Sequence, residues 1–70
     1  MASFKVMLSC GDTLRTDAIN RESAILQLKE KMDEAGIAEH TAMRHAGEQP
    51  MSVAEMHGMI ERDTTEVTWP

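Results

Sequence analysis

A single cysteine, Cys10, removes an internal disulfide from the ways this chain can be held together. Tyrosine is absent, and Phe4 and Trp69 are the sole aromatic residues, so there is no platform on which nucleic-acid bases would stack. Basic residues are outnumbered. Seven Lys and Arg stand scattered among twelve Asp and Glu, giving a formal charge of −5. Phosphate backbones are bound by clustered cations, so nucleic acid is not an expected partner. No apolar run approaches the roughly 20 residues that span a bilayer. Residues 1–8 alternate around Lys5 rather than forming the apolar stretch of an export signal. With the lone thiol, these features predict a cytoplasmic protein with no membrane partner.

The 70 residues allow one domain, 1–70, whose small core makes a metal or a dimer interface attractive as a staple. Seven methionines are present, and Met is an adaptable filler for irregular gaps. Met32, Met43, Met56 and Met59 are therefore read as core. The other uses of such residues are a Met-rich groove for helices or a soft site for copper(I).

Hydrophobic periodicity supplies the elements. Phe4, Val6 and Leu8 alternate with Lys5, Met7 and Ser9, the period of a half-buried strand. Leu14, Thr16 and Ala18 continue that alternation beyond a glycine, predicting a β-hairpin. A two-residue turn would pair apolar with charged positions. A three-residue loop at residues 10–12 pairs Leu8 with Leu14, Val6 with Thr16 and Phe4 with Ala18, keeping one face apolar. Gly11 suits the left-handed residue that such a loop needs.

Asn20 is a helix N-cap, and Ile25, Leu28, Met32 and Ala35 form an apolar stripe behind it. Ala38, Ala42 and Met43 keep helical spacing up to Gly47. The pattern predicts one long helix, kinked at Gly36, in preference to two short ones. Pro50 breaks the chain, after which Ser52 and Glu55 form a capping box and Met51 and Met56 a hydrophobic staple, predicting a helix over residues 52–62. Residues 64–69 read as a short third strand or an ordered tail. The expected fold is α+β, with the hairpin packed on a long helix and a shorter one. A strand edge left open would offer itself to a second copy.

Four residues bear chemistry: Cys10, His40, His45 and His57. His57 lies at the edge of the last helix's apolar stripe and reads as a boundary residue. His40 and His45 form an H-x4-H pair near a helix end, and Cys10 sits at a hairpin tip. Tetrahedral zinc sites commonly draw ligands from a hairpin and from two histidines three to five residues apart. Asp12 would add an oxygen. Met7 stands where a C-x2-C partner would be. On a regular helix the two histidines point about 140° apart, so sharing a metal requires the helix to loosen just before Gly47.

The order Phe4-Lys5-Val6-x-Leu8-Ser9-Cys10-Gly11-Asp12, acid-flanked helix, His40-x4-His45, Gly47, Pro50-x-Ser52 helix start resembles small bacterial predicted metal-binding domains of unknown function. The resemblance spans about residues 4–62 and implies a cysteine-bearing hairpin followed by a helix with spaced histidines. Catalytic motifs for serine hydrolases, phosphate loops, zinc proteases and CxxC redox centres are absent, so an enzyme is not expected. The first functional reading is a non-enzymatic protein-interaction or accessory module, acting on a protein partner or as a homodimer. The second is a zinc-binding module using Cys10, His40 and His45. The third is a redox-active or nucleophilic Cys10.

Overall fold

The computed structural model describes residues 1–67. Two strands, β1 (Ala2–Met7) and β2 (Thr13–Ala18), are followed by helices α1 (Arg21–Lys31), α2 (Glu34–Arg44) and α3 (Val53–Asp63), then by a short strand β3 (Thr65–Glu66). The sheet is antiparallel in the order β2-β1-β3, so the α+β class and the third strand both hold, and β3 pairs within its own chain. Trp69, at the end of the expected tail, lies outside the described residues.

Phe4, Val6 and Leu8 are buried on one face of the hairpin, as their alternation requires. The register differs from expectation. Val6 pairs with Leu14, Phe4 with Thr16 and Ala2 with Ala18, two residues away from the expected pairing. The loop has the expected length but occupies residues 9–11: Leu8 N–H donates to Asp12 O at 2.8 Å and Gly11 N–H donates to Leu8 O at 3.0 Å. Gly11 has φ +94°, the left-handed residue that closes a three-residue hairpin loop. A shift of two preserves every side chain's face, so apolar matching is blind to it and the position of the glycine decides. Asp12 therefore stands opposite the buried Leu8, on the helix-facing side of the hairpin.

The long helix is replaced by two. The break falls at Met32 and Asp33, not at Gly36. Met32 closes α1 with φ −105° and ψ 51°, and the Asp33 carboxylate accepts from Gly36 N–H at 2.8 Å as the N-cap of α2. An aspartate carboxylate competes for backbone N–H groups and so starts a helix more readily than it continues one. Gly36 has a different task. A Cβ there would collide with the carbonyl oxygen of Lys31, so the close packing of α2's first turn on the end of α1 demands glycine.

Restarting the helix also resets its phase. Ile37 and Thr41 form the buried face of α2, whereas Ala35, Ala38, Ala42 and Met43 are exposed, Met43 by 75%. Met43 is thus not core. Met32, Met56 and Met59 are buried with Val6, Leu8, Leu28, Ile37 and Ile60. Phe4, Ala18 and Ala24 make a smaller cluster under the sheet's other end. Asn20 and Ser52 cap α1 and α3 as expected, accepting from Ser23 N–H at 2.8 Å and Glu55 N–H at 3.1 Å. Arg21 ties the two helices together by donating to the Glu61 and Thr64 carbonyls at the end of α3. His57 is half-buried and donates from Nε2 to Met32 O at 2.9 Å, covering a carbonyl at the break.

Candidate metal centre

Three segments meet above the Leu8 end of the core. The hairpin brings Cys10 from its loop and Asp12 from the position opposite Leu8, α2 brings His40 and Arg44, and the C-cap of α2 brings His45. Buried Leu8 seats the loop, while buried Ile37 and Thr41 seat α2. Thr41 satisfies its hydroxyl within the helix, donating to Ile37 O at 2.9 Å.

The obstacle posed by H-x4-H is removed at the helix end. α2 stops at Arg44, and His45 is its C-cap with φ −136°, no longer bound to the helical direction. The two imidazole centroids stand 5.3 Å apart. Gly47, with φ +91°, turns the chain back so that Glu48 Oε2 lies 3.3 Å from His45 Nδ1.

Asp12 is the hub. Its Oδ2 lies 2.7 Å from His45 Nε2 and 3.2 Å from His40 Nε2, and its Oδ1 accepts from Arg44 Nη2 at 2.9 Å. Hydrogen bonds from Arg44 and then His45 hold the Asp12 carboxyl well below its ordinary value of 3.8, at about 2. Cys10 Sγ lies 3.8 Å from His40 Nε2 and 3.7 Å from Asp12 Oδ2. One donor atom from each of Cys10, Asp12, His40 and His45 falls within a group whose members are all within 4.8 Å of one another.

These separations can be set against coordination geometry. Zinc bonds of about 2.0–2.3 Å in a tetrahedron leave ligand atoms about 3.3 Å apart, or about 3.5 Å where one is sulfur. The Cys10–Asp12, Cys10–His40 and Asp12–His40 separations are within a few tenths of an ångström of those edges. The Asp12–His45 contact is shorter because it is a hydrogen bond. A pocket of about 310 Å³ opens beside the cluster and is walled in part by Cys10, His40, His45 and Glu48.

All three residues singled out from the sequence, Cys10, His40 and His45, are brought together, and Asp12 joins them as a full member. Arg44 and Glu48 were missed. Arg44 lies beside the histidines on the same helix turn, and Glu48 follows His45 by three residues, but neither spacing by itself signals a partner. His57 is apart from the cluster and belongs to the α1–α3 packing. No family model matches the chain, and no curated protein or solved structure matches it. Among the described residues no helix is long and apolar enough to cross a membrane.

Proposed function

We propose that the chain is a small metal-binding module whose site takes a zinc ion through Cys10 Sγ, Asp12 Oδ2 and the Nε2 atoms of His40 and His45. The observation that carries this reading is the convergence of four donors of zinc-ligand type, from the hairpin and from α2 and its C-cap, all within 4.8 Å of one another. A mixed S, N and O set fits zinc better than magnesium or calcium, which prefer oxygen alone.

The surroundings support the same reading. Arg44 holds Asp12 Oδ1 and leaves Oδ2 for the ion. Glu48 Oε2 stands 3.3 Å from His45 Nδ1, where a carboxylate can orient a ligand imidazole in a carboxylate–histidine–metal arrangement. Four protein ligands fill a tetrahedral zinc, which suits a structural or carrier role rather than a catalytic one. The resemblance to small metal-binding domains points the same way.

The test is a zinc titration of the chelator-treated chain, followed by calorimetry and by the NMR shifts of Cys10, His40 and His45. One ion should bind per chain and move all three residues together. Cys10→Ser and His45→Ala should each weaken binding at least tenfold, since each removes one of four ligands. Zinc binding that leaves these three residues unshifted, or no binding at all, would sink the proposal.

A second reading has one observation in its favour. Cys10 is exposed and its sulfur contacts His40 Nε2, a thiol beside a base. It predicts that Cys10 in the metal-free chain reacts with a thiol reagent faster than free cysteine and that His40→Ala removes the difference. Reaction at the rate of free cysteine rejects it.

A further inference from the structure

Among the described residues, no strand pairs with the outer edge of β2, whereas β1 is paired on both sides. Backbone groups in an antiparallel ladder face alternate edges, and the Leu8–Asp12 bond fixes the phase. Asp12, Leu14, Thr16 and Ala18 turn their N–H and C=O toward β1. Thr13, Arg15 and Asp17 turn theirs outward. The other side of β1 obeys the same phase, since Ser3 O accepts from Val67 N–H at 2.8 Å. Among the described residues, the free edge therefore presents unpaired groups at three successive outward positions.

We infer that this edge is a self-association surface: β2 pairs antiparallel with β2 of a second copy about a two-fold axis at Thr16, joining two three-stranded sheets into one. Charge selects the register. Outward residues can pair only with outward residues, so the axis falls on Leu14, Arg15, Thr16 or Asp17. An axis at Arg15 sets Arg15 against its own copy, and one at Asp17 sets Asp17 against its copy. An axis at Leu14 leaves Asp17 opposite Gly11. The axis at Thr16 alone sets Arg15 across from Asp17, and does so twice, with opposite charges on directly paired positions.

The remaining pairs agree with that register. Leu14 falls opposite Ala18, extending the apolar inner row. Ile19, a large apolar residue that is 75% exposed just past the strand, falls opposite Thr13. Asp17 Oδ1 already accepts from Ser3 Oγ at 2.7 Å, which steadies the carboxylate and leaves its other oxygen for the arginine of the second copy. The surface is separate from the four-donor cluster, and the inference does not depend on the metal.

Light scattering on the full chain over a range of concentrations, with and without chelator, reads the association directly. A dimer that grows with concentration in chelator is expected. Arg15→Asp should abolish it, and Arg15→Asp combined with Asp17→Arg should restore it. In a Cys10→Ser background, Thr16→Cys should give a disulfide-linked dimer under mild oxidation, because the axis brings the two residues to about 4.5 Å between Cα atoms. Circular dichroism checks that each variant is folded. A monomer at every concentration, an association that needs zinc and survives Arg15→Asp, or efficient cross-linking through Arg15→Cys in place of Thr16→Cys would each overturn the inference.

Discussion

Asp12 concentrates the electrostatics of the molecule in one carboxylate. It contacts Arg44, His45 and His40, and the hydrogen bonds from Arg44 and then His45 lower its pKa to about 2. A carboxylate whose pKa is lower when folded adds stability above its unfolded value and loses it as pH falls through the folded value. In the metal-free chain, the advantage of the wild type over Asp12→Asn should be complete above about pH 4 and should vanish toward about pH 2. Urea midpoints of both proteins between pH 2 and pH 6 measure this, and a difference that stays constant would contradict it. At the same scale, Glu48→Gln should weaken zinc binding by roughly 10-fold or more through misorientation of His45. Calorimetry reads that loss, and the variant's unchanged fold should separate it from unfolding.

Two glycines in the helices call for opposite outcomes, and each follows from its element. Gly36 lies where α2 crosses the end of α1, and a methyl group there meets the Lys31 carbonyl oxygen. Gly36→Ala should destabilise by about 1–3 kcal/mol, the usual range for forcing a group into a packed site. Gly58 lies within α3, exposed, with nothing near the position of an added Cβ. Gly58→Ala should stabilise by about 0.5–1 kcal/mol, because alanine restricts the unfolded chain and favours the helix. Thermal or denaturant unfolding of the pair tests both, and a Gly36→Ala variant as stable as the wild type would refute the packing of the α1–α2 junction. α3 is otherwise well terminated, with Ser52 at its start and Arg21 of α1 on its final carbonyls.

Over the whole molecule, a short chain with one small core is held at both ends of that core. Arg21 and the Lys29–Glu61 ion pair bind α1 to α3, and the Asp12 cluster binds the hairpin to α2. Zinc would strengthen the second of these. At a free zinc concentration 100 times the dissociation constant, binding to the folded chain alone adds about 2.7 kcal/mol. For a domain this size that corresponds to a rise in Tm of about 10–20 °C. Differential scanning calorimetry with zinc and with chelator should show it, and Cys10→Ser should shrink it.

What the sequence determined by itself was the hairpin, the final helix and most of the inward residues of both. Alternation marked Phe4, Val6 and Leu8, and a capping serine with a stripe marked α3, because strand and helix periods are local properties of the backbone. The donor residues of the cluster were legible as well, since thiol and imidazole are rare in this chain. Tertiary structure decided three things. It fixed the hairpin register, because a two-residue shift leaves every face unchanged. It divided the helical segment at Asp33, where a side-chain cap outcompeted continuation of the helix and turned Ile37 and Thr41 inward in place of Met43. And it gave Asp12, Arg44 and Glu48 their places around the histidines, since contacts between distant segments follow from how those segments pack, not from their spacing along the chain.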